Sequence, residues 1–268
     1  MNIAFDDPDF AVSNEETYSQ FGGAVASGDV NGDGVDDVVV GAPQRDFGGR
    51  DGSGVVYVYY GSPGLKGKTT SAEANVTIVG AQAGDGLGDG VAAGDFNGDG
   101  VDDLLLSAPM ADGPDDARQV AGEVYLLQGP RSAGTIDLST QAVDAVIYGA
   151  RPGDSLALSV AVGDIDKDGR DDVLLGAPLA DALGYSRFSG GELYVFYGER
   201  LAGVIDLQED IDRFADVAGA EPGDLLGSGV AIADLNGDGK PELAVNAPRS
   251  TQEDARSGKV YVVAPPAK

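Results

Sequence analysis

Two landmarks recur four times, in register, along a chain of 268 residues. The first runs from Phe21-Gly22 to Gly41-Ala42-Pro43, from Leu87-Gly88 to Ser107-Ala108-Pro109, from Leu156-Ala157 to Gly176-Ala177-Pro178, and from Leu226-Gly227 to Asn246-Ala247-Pro248. The second is an apolar run after a glycine: Gly54-Val55-Val56-Tyr57-Val58-Tyr59, Gly122-Glu123-Val124-Tyr125-Leu126-Leu127, Gly191-Glu192-Leu193-Tyr194-Val195-Phe196 and Gly258-Lys259-Val260-Tyr261-Val262-Val263. A period of this length describes one supersecondary unit, which buries its apolar faces only by stacking on its neighbours.

Each unit reads as four short strands, because the apolar runs are brief, β-branched and bounded by Gly, Pro or Asp. In the second unit strand A is expected over 91–94, B over 103–107, C over 123–127 and D over 143–148. Strand A is rich in Ala, Gly and Ser, which suits sheets converging on a crowded axis, while B and C carry the bulkier residues that fill the space between sheets. The fold class expected is therefore all-β, a β-propeller of four-stranded antiparallel blades in one domain over 1–268. The repeat landmarks span 21–61, 87–127, 156–198 and 226–263. The fourth unit ends without a strand D, and Phe10-Ala11-Val12-Ser13 precedes Phe21 where a strand D would. The expectation is that residues 10–13 complete the last of four blades and close the ring, removing its open edges. A piece of a larger propeller is the alternative.

Between strands A and B every unit carries an acidic loop. Side chains at positions 1, 3, 5 and 9 are Asp29, Asn31, Asp33 and Asp37; Asp95, Asn97, Asp99 and Asp103; Asp164, Asp166, Asp168 and Asp172; and Asp234, Asn236, Asp238 and Glu242. Position 7, where the backbone carbonyl would serve, is Val35, Val101, Arg170 or Lys240. Hard oxygen donors at this spacing suit Ca2+, about one ion per loop, with glycine at position 6 allowing the sharp bend. The chain has no His and no Cys, so it offers no nitrogen or sulfur ligand for softer metals. Position 12 is apolar and strands flank the loop, which distinguishes it from an EF-hand. The ions are expected mainly to clamp the A–B hairpin.

The formal charge of −28 repels nucleic acid and anionic membranes. It attracts divalent cations, and it is also the composition of salt-adapted surfaces; four Ca2+ would lower it to −20. No apolar run approaches a membrane span, and the N-terminus has no signal-peptide pattern.

Phe-Gly, then Asp-x-Asn-x-Asp-Gly-x-x-Asp, then Gly-Ala-Pro resembles the FG-GAP repeat, as found in the N-terminal propeller of integrin α subunits. The resemblance covers essentially the whole chain. It implies calcium loops on one face, ligand recognition or adhesion through the other, and an extracellular or cell-surface location. Integrin propellers have seven blades against four units here, and only the first unit keeps a literal Phe-Gly.

Strand alternation puts the B–C and D–A loops on the face opposite the calcium loops. Arg45, Arg50, Arg118, Arg151, Arg187, Arg249 and Arg256 fall in those loops, with Phe47, Tyr185 and Phe188, a composition enriched at binding hot spots. The expectation is a protein or glycan partner bearing carboxylates or sugars; the competing reading pairs these arginines with nearby aspartates. Without His, Cys or a Gly-x-Ser-x-Gly elbow, the chain is read as a non-enzymatic monomeric module. A structural repeat within a larger surface protein and a carboxylate-based glycosidase are the alternatives.

Overall fold

The structure is a computed structural model that describes residues 9–14, 16–129, 133–182, 186–252 and 255–266, with backbone alone for Gln252, Ala255 and Arg256. Strand β1 (Phe10–Ser13) precedes the first unit, which comprises β2 (Val25–Gly28), β3 (Asp37–Ala42), β4 (Val55–Tyr59), β5 (Gly67–Thr70) and β6 (Val76–Val79). The second comprises β7 (Gly90–Gly94), β8 (Asp103–Ala108), β9 (Glu123–Leu127), β10 (Gly134–Asp137) and β11 (Ala145–Tyr148). The third has β12 (Ser159–Gly163), β13 (Asp172–Ala177), β14 (Glu192–Phe196), β15 (Gly203–Asp206) and β16 (Ala215–Ala218). The fourth has β17 (Val230–Ala233), β18 (Glu242–Ala247), the ribbon β19 (Thr251–Gln252) and β20 (Ala255–Arg256), and β21 (Lys259–Val263). The expected strands of the second unit thus fall on β7, β8, β9 and β11.

Strands β3, β8 and β13 read as unbroken Val, Leu and Ala runs because both faces of each sheet are covered, which removes the usual polar alternation. The cores lie between consecutive units. Val39, Val56 and Val58 of the first meet Leu104, Leu106 and Leu127 of the second. Leu105, Val124 and Leu126 then face Val173, Leu175, Tyr194 and Phe196, and Leu174, Leu193 and Val195 face Leu243 and Val245. Strand β2 packs on β7, β7 on β12, and β12 on β17, so the four A strands run side by side.

The glycines of the first landmark meet at these junctions. A Cβ on Gly41 would sit 2.0 Å from the carbonyl oxygen of Gly88 in the next unit, and one on Gly176 would sit 2.1 Å from that of Gly227. Backbone approaches this close admit only glycine. At the middle junction the corresponding residues are Ser107 and Ala157, and the buried Ser107 hydroxyl instead accepts from the Gly90 N–H at 2.8 Å.

One expectation is corrected. The blades are not uniformly four-stranded. The first sheet has the order β10-β6-β4-β3-β2 and the second β15-β11-β9-β8-β7, each gaining a parallel edge strand from the following unit. The third keeps four strands, β12-β13-β14-β16, and the fourth three, β17-β18-β21. Strand β1 pairs with β5, in parallel, and no pairing with β21 is present among the described residues. The cause is the C–D segment: a short strand that crosses to the preceding blade adds to its D strand, so β5 stands to β1 as β10 to β6 and β15 to β11.

Apolar side chains of the first and last units are exposed. Val260 is 69% exposed and Val262 53%, whereas the equivalent Val56 and Val58 of the first unit are fully buried by the second. Leu235 is exposed where Val30, Phe96 and Ile165 are buried, and Val25 is exposed at the other end.

Candidate metal centres

Each acidic loop is built by its own aspartates before any ion is considered. In the first, the Asp29 carboxylate accepts from the N–H groups of Gly32 at 2.9 Å, Asp33 at 3.0 Å and Gly34 at 2.8 Å. Asn31 Oδ1 accepts from Asp33 N–H, and Asp33 Oδ1 from Val35 N–H. Such Asx turns fold alternate side chains to one point. Asp95, Asn97 and Asp99 repeat the pattern on Gly98, Asp99, Gly100 and Val101. Asp164, Asp166 and Asp168 repeat it on Asp168, Gly169 and Arg170, and Asp234, Asn236 and Asp238 on Gly237, Asp238, Gly239 and Lys240.

Position 9 anchors the loop to the blade. Asp37 Oδ2 accepts from Val30 N–H at 3.1 Å and Oδ1 from Gly61 N–H at 2.8 Å; Asp172 does the same with Ile165 and Gly198, both at 2.8 Å. Asp103 takes the Gly129 N–H at 2.9 Å. These three carboxylates are fully buried, and Glu242, at the open end, is partly exposed. Burial pushes Asp103 and Asp172 up to about 6, and the other loop aspartates push in the same direction. Asp37 is raised by the same causes.

Oxygens of Asp164, Asp166 and Asp172 lie within 4.8 Å of one another, close enough for one ion to touch all three. Together with an all-oxygen donor set, this convergence fits a hard divalent cation such as Ca2+. Side chains at positions 1, 3, 5 and 9 and the position-7 carbonyls of Val35, Val101, Arg170 and Lys240 are the groups that would hold it.

Two loop features were missed in the sequence. Position 4 takes a left-handed φ, +75° at Gly32, +78° at Gly98 and +77° at Gly237, and Lys167 adopts +65° there without glycine's freedom. Position 8 joins neighbouring loops: Asp102 Oδ2 accepts from Asp29 N–H at 2.8 Å, and Asp171 Oδ2 from Asp95 N–H at 3.0 Å. In the fourth loop this position is Pro241. The recurrence of Asp at position 8 in three loops was the available signal.

On the opposite face most of the arginines are engaged within the fold. Arg50 forms a two-pronged pair with Asp137 at 2.8 and 2.7 Å, and Arg118 with Asp206 at 2.7 Å for both prongs. Both carboxylates come from the next unit's parallel edge strand, far from the local aspartates the sequence offered. Arg151 pairs with Glu192 at 3.3 Å, and Arg45 with Glu16. Arg187 donates to the Gly219 carbonyl at 2.6 Å. Phe47 is half-buried beside the first sheet, while Phe188 (74% exposed) and Arg249 face solvent. Tyr185 and the side chain of Arg256 lie outside the described residues. The buried Asp85 and Asp224 cap D–A turns through the N–H groups of Gln82 and Glu221, a structural use of carboxylates.

A family model described as FG-GAP repeat matches residues 21–59, 87–127, 157–196 and 226–263. Integrin alpha-PS2 of Drosophila melanogaster is 30% identical over 256 residues, covering 94% of this chain and 17% of the integrin. Phosphatidylinositol-glycan-specific phospholipase D of Dictyostelium discoideum is 27% identical over 217 residues, covering 76% of this chain and 22% of that protein. A crystal structure of rhamnogalacturonan lyase YesW aligns over 82% of this chain and 39% of its own with 14% identity and a TM-score of 0.45. The chain thus spans 17% and 22% of the length of these two curated relatives. No helix among the described residues is long and apolar enough to cross a membrane.

Proposed function

The chain belongs to the FG-GAP repeat family, and from that premise we propose that it is a calcium-stabilised, non-enzymatic recognition module. It binds a protein or glycan ligand through the face opposite the acidic loops and works outside the cell or at its surface. The observation that carries this reading is the asymmetry of the two faces. One is occupied by four loops whose carboxylates accept from backbone N–H groups and are spaced to hold an ion. The other offers exposed Phe188 and Arg249 on loops that the sheets hold in place. An exposed aromatic and an exposed guanidinium on one face suit a carboxylate-bearing or sugar partner.

Blade count and closure belong to the same proposal. Strand β1 already holds β5 in the register of β6 with β10, so pairing of β1 with β21 would give a fourth blade with the strand order of the first two. That closure would make residues 1–268 a single self-contained module and would cover Leu235, Val260 and Val262.

The test is a glycan array together with a panel of extracellular-matrix proteins, probed with the chain in calcium. Saturable binding that Phe188→Ala with Arg249→Ala removes, at unchanged melting temperature, is the expected result. Binding indifferent to both substitutions would overturn the assignment of the face, and turnover of a glycoside would overturn the non-enzymatic reading.

A further inference from the structure

Between the outer strands of the first and second blades lies a cavity of about 610 Å³ that opens to solvent. Its walls come from the turn after β6, the 113–116 loop, strands β9 and β11, and the 138–143 connection between β10 and β11. All of them belong to the first two units, away from both chain ends. Asp115 and Asp116 are exposed at the mouth, and no described residue that lines the cavity is basic. Glu123 lines it while only 9% exposed, so its carboxylate lies at the floor. Oε2 accepts from the Tyr125 hydroxyl, and Oε1 has no hydrogen-bond partner among the described residues. Burial raises the Glu123 pKa, the Tyr125 hydrogen bond opposes it, and Asp85, Asp116 and Asp112 raise it again. A buried carboxylate surrounded by other acids is costly to keep charged, and a cation relieves that cost.

The third blade shows which group relieves it. Glu192, 4% exposed, opens β14 as Glu123 opens β9, and its Oε2 accepts from the Tyr194 hydroxyl. Its Oε1 accepts from the Arg151 guanidinium at 3.3 Å. Arg151 follows Gly149-Ala150 in the turn after β11; at the same place in the turn after β6, Gln82 follows Gly80-Ala81. Gln82 is neutral and donates instead to Asp116 Oδ1 at 2.6 Å. The other units also bring opposite charges to this junction. Glu16, three residues before Ser19 as Gln82 is before Asp85, pairs with Arg45, and the fourth unit carries Glu221 and Lys259 at the two positions.

We propose that this cavity binds a guanidinium carried by a ligand, which takes Glu123 Oε1 in the way that Arg151 takes Oε1 of Glu192. Asp115 and Asp116 draw the cation to the mouth, and Tyr125 and Tyr148 line the wall with aromatic surface suited to a planar cation. The site is separate from Phe188 and Arg249 and from the acidic loops, so it goes beyond the ligand face proposed above and is tested independently of it.

The group has two sources, a free small molecule and an arginine side chain of a polypeptide, represented by agmatine and by Nα-acetyl-arginine methylamide. Each is titrated against the 268-residue protein in saturating calcium, with amide chemical shifts followed by NMR. Saturable shifts confined to 81–82, 113–116, 123–125 and 138–148 are expected. Binding of the blocked arginine alone assigns the ligand to a polypeptide, and agmatine binding as well or better assigns it to a free cation. The blocked citrulline analogue, of the same shape but uncharged, should not bind. Glu123→Gln should weaken binding about tenfold or more. Gln82→Arg, which supplies the third blade's own guanidinium, should abolish binding and raise the melting temperature. Absence of saturable shifts with both cations, equal binding of the citrulline analogue, binding untouched by Gln82→Arg, or displacement by further calcium would overturn the proposal.

Discussion

A carboxylate drawn into the wall of a loop is held there by backbone N–H groups, and its protonation records the cost. Burial, the largest cause in each case, pushes Asp103 and Asp172 up to about 6 and Asp154 up to about 7. An unfolded aspartate titrates near 3.9. Between pH ~7 and ~4 the ion-free folded chain therefore binds more protons than the unfolded chain, so its stability rises as pH falls through this window. Ion-free protein, dialysed against chelator, should melt at a higher temperature at pH 5.5 than at pH 7.5. The gain from added calcium should be larger at pH 7.5, where no proton competes for the loop carboxylates; a calcium gain independent of pH would contradict this. The ligand positions were legible in the sequence because oxygen side chains at every second residue have one obvious convergent geometry. Position 8 was not, since the role of Asp102 and Asp171 depends on a neighbouring loop that only the stacked fold brings within reach.

At the scale of the element, the unit junction is held by more than apolar packing. Arg118 and Asp206 are each about 85% buried, in a two-pronged pair that also caps the end of β11 through Gly149. Burial alone would raise Asp206, yet the Arg118 hydrogen bonds hold it below the usual carboxylate range. Asp137 is held lower still by Arg50. Depressed carboxylates contribute stability above the unfolded value that is lost as pH falls through the folded one, so these clasps persist well into acid. A double-mutant cycle with Arg118→Gln and Asp206→Asn, read by chemical denaturation, should give a coupling of roughly 1–3 kcal/mol, as hydrogen bonds to charged groups typically do. Coupling near zero would make the pair ornamental. Strands A to D were readable from β-branched runs bounded by Gly and Asp. The parallel edge strands were passed over because each is four residues long and its partner belongs to another unit. The repeated Gly-x-Ile-Asp-Leu at 134–138 and 203–207 was the signal available.

Across the whole molecule, four units arranged in series share one dependence: thirteen carboxylates at ligand positions sit in a chain whose formal charge is already −28. Three or four like charges around a single point repel strongly without a cation, and an ion that binds only the folded loops stabilises the fold by mass action. The period and the order of strands followed from the sequence. Ring closure does not, because whether β1 reaches β21 is a matter of accumulated rotation between units, which no local pattern encodes. The most direct measurement is a titration of ion-free chain with Ca2+, counting ions bound per chain by competition with a chromophoric chelator and following the melting temperature alongside. About four Ca2+ per chain, with a large rise in melting temperature, is the predicted result. Calcium bound at none of the loops, with an unchanged melt, would contradict the account.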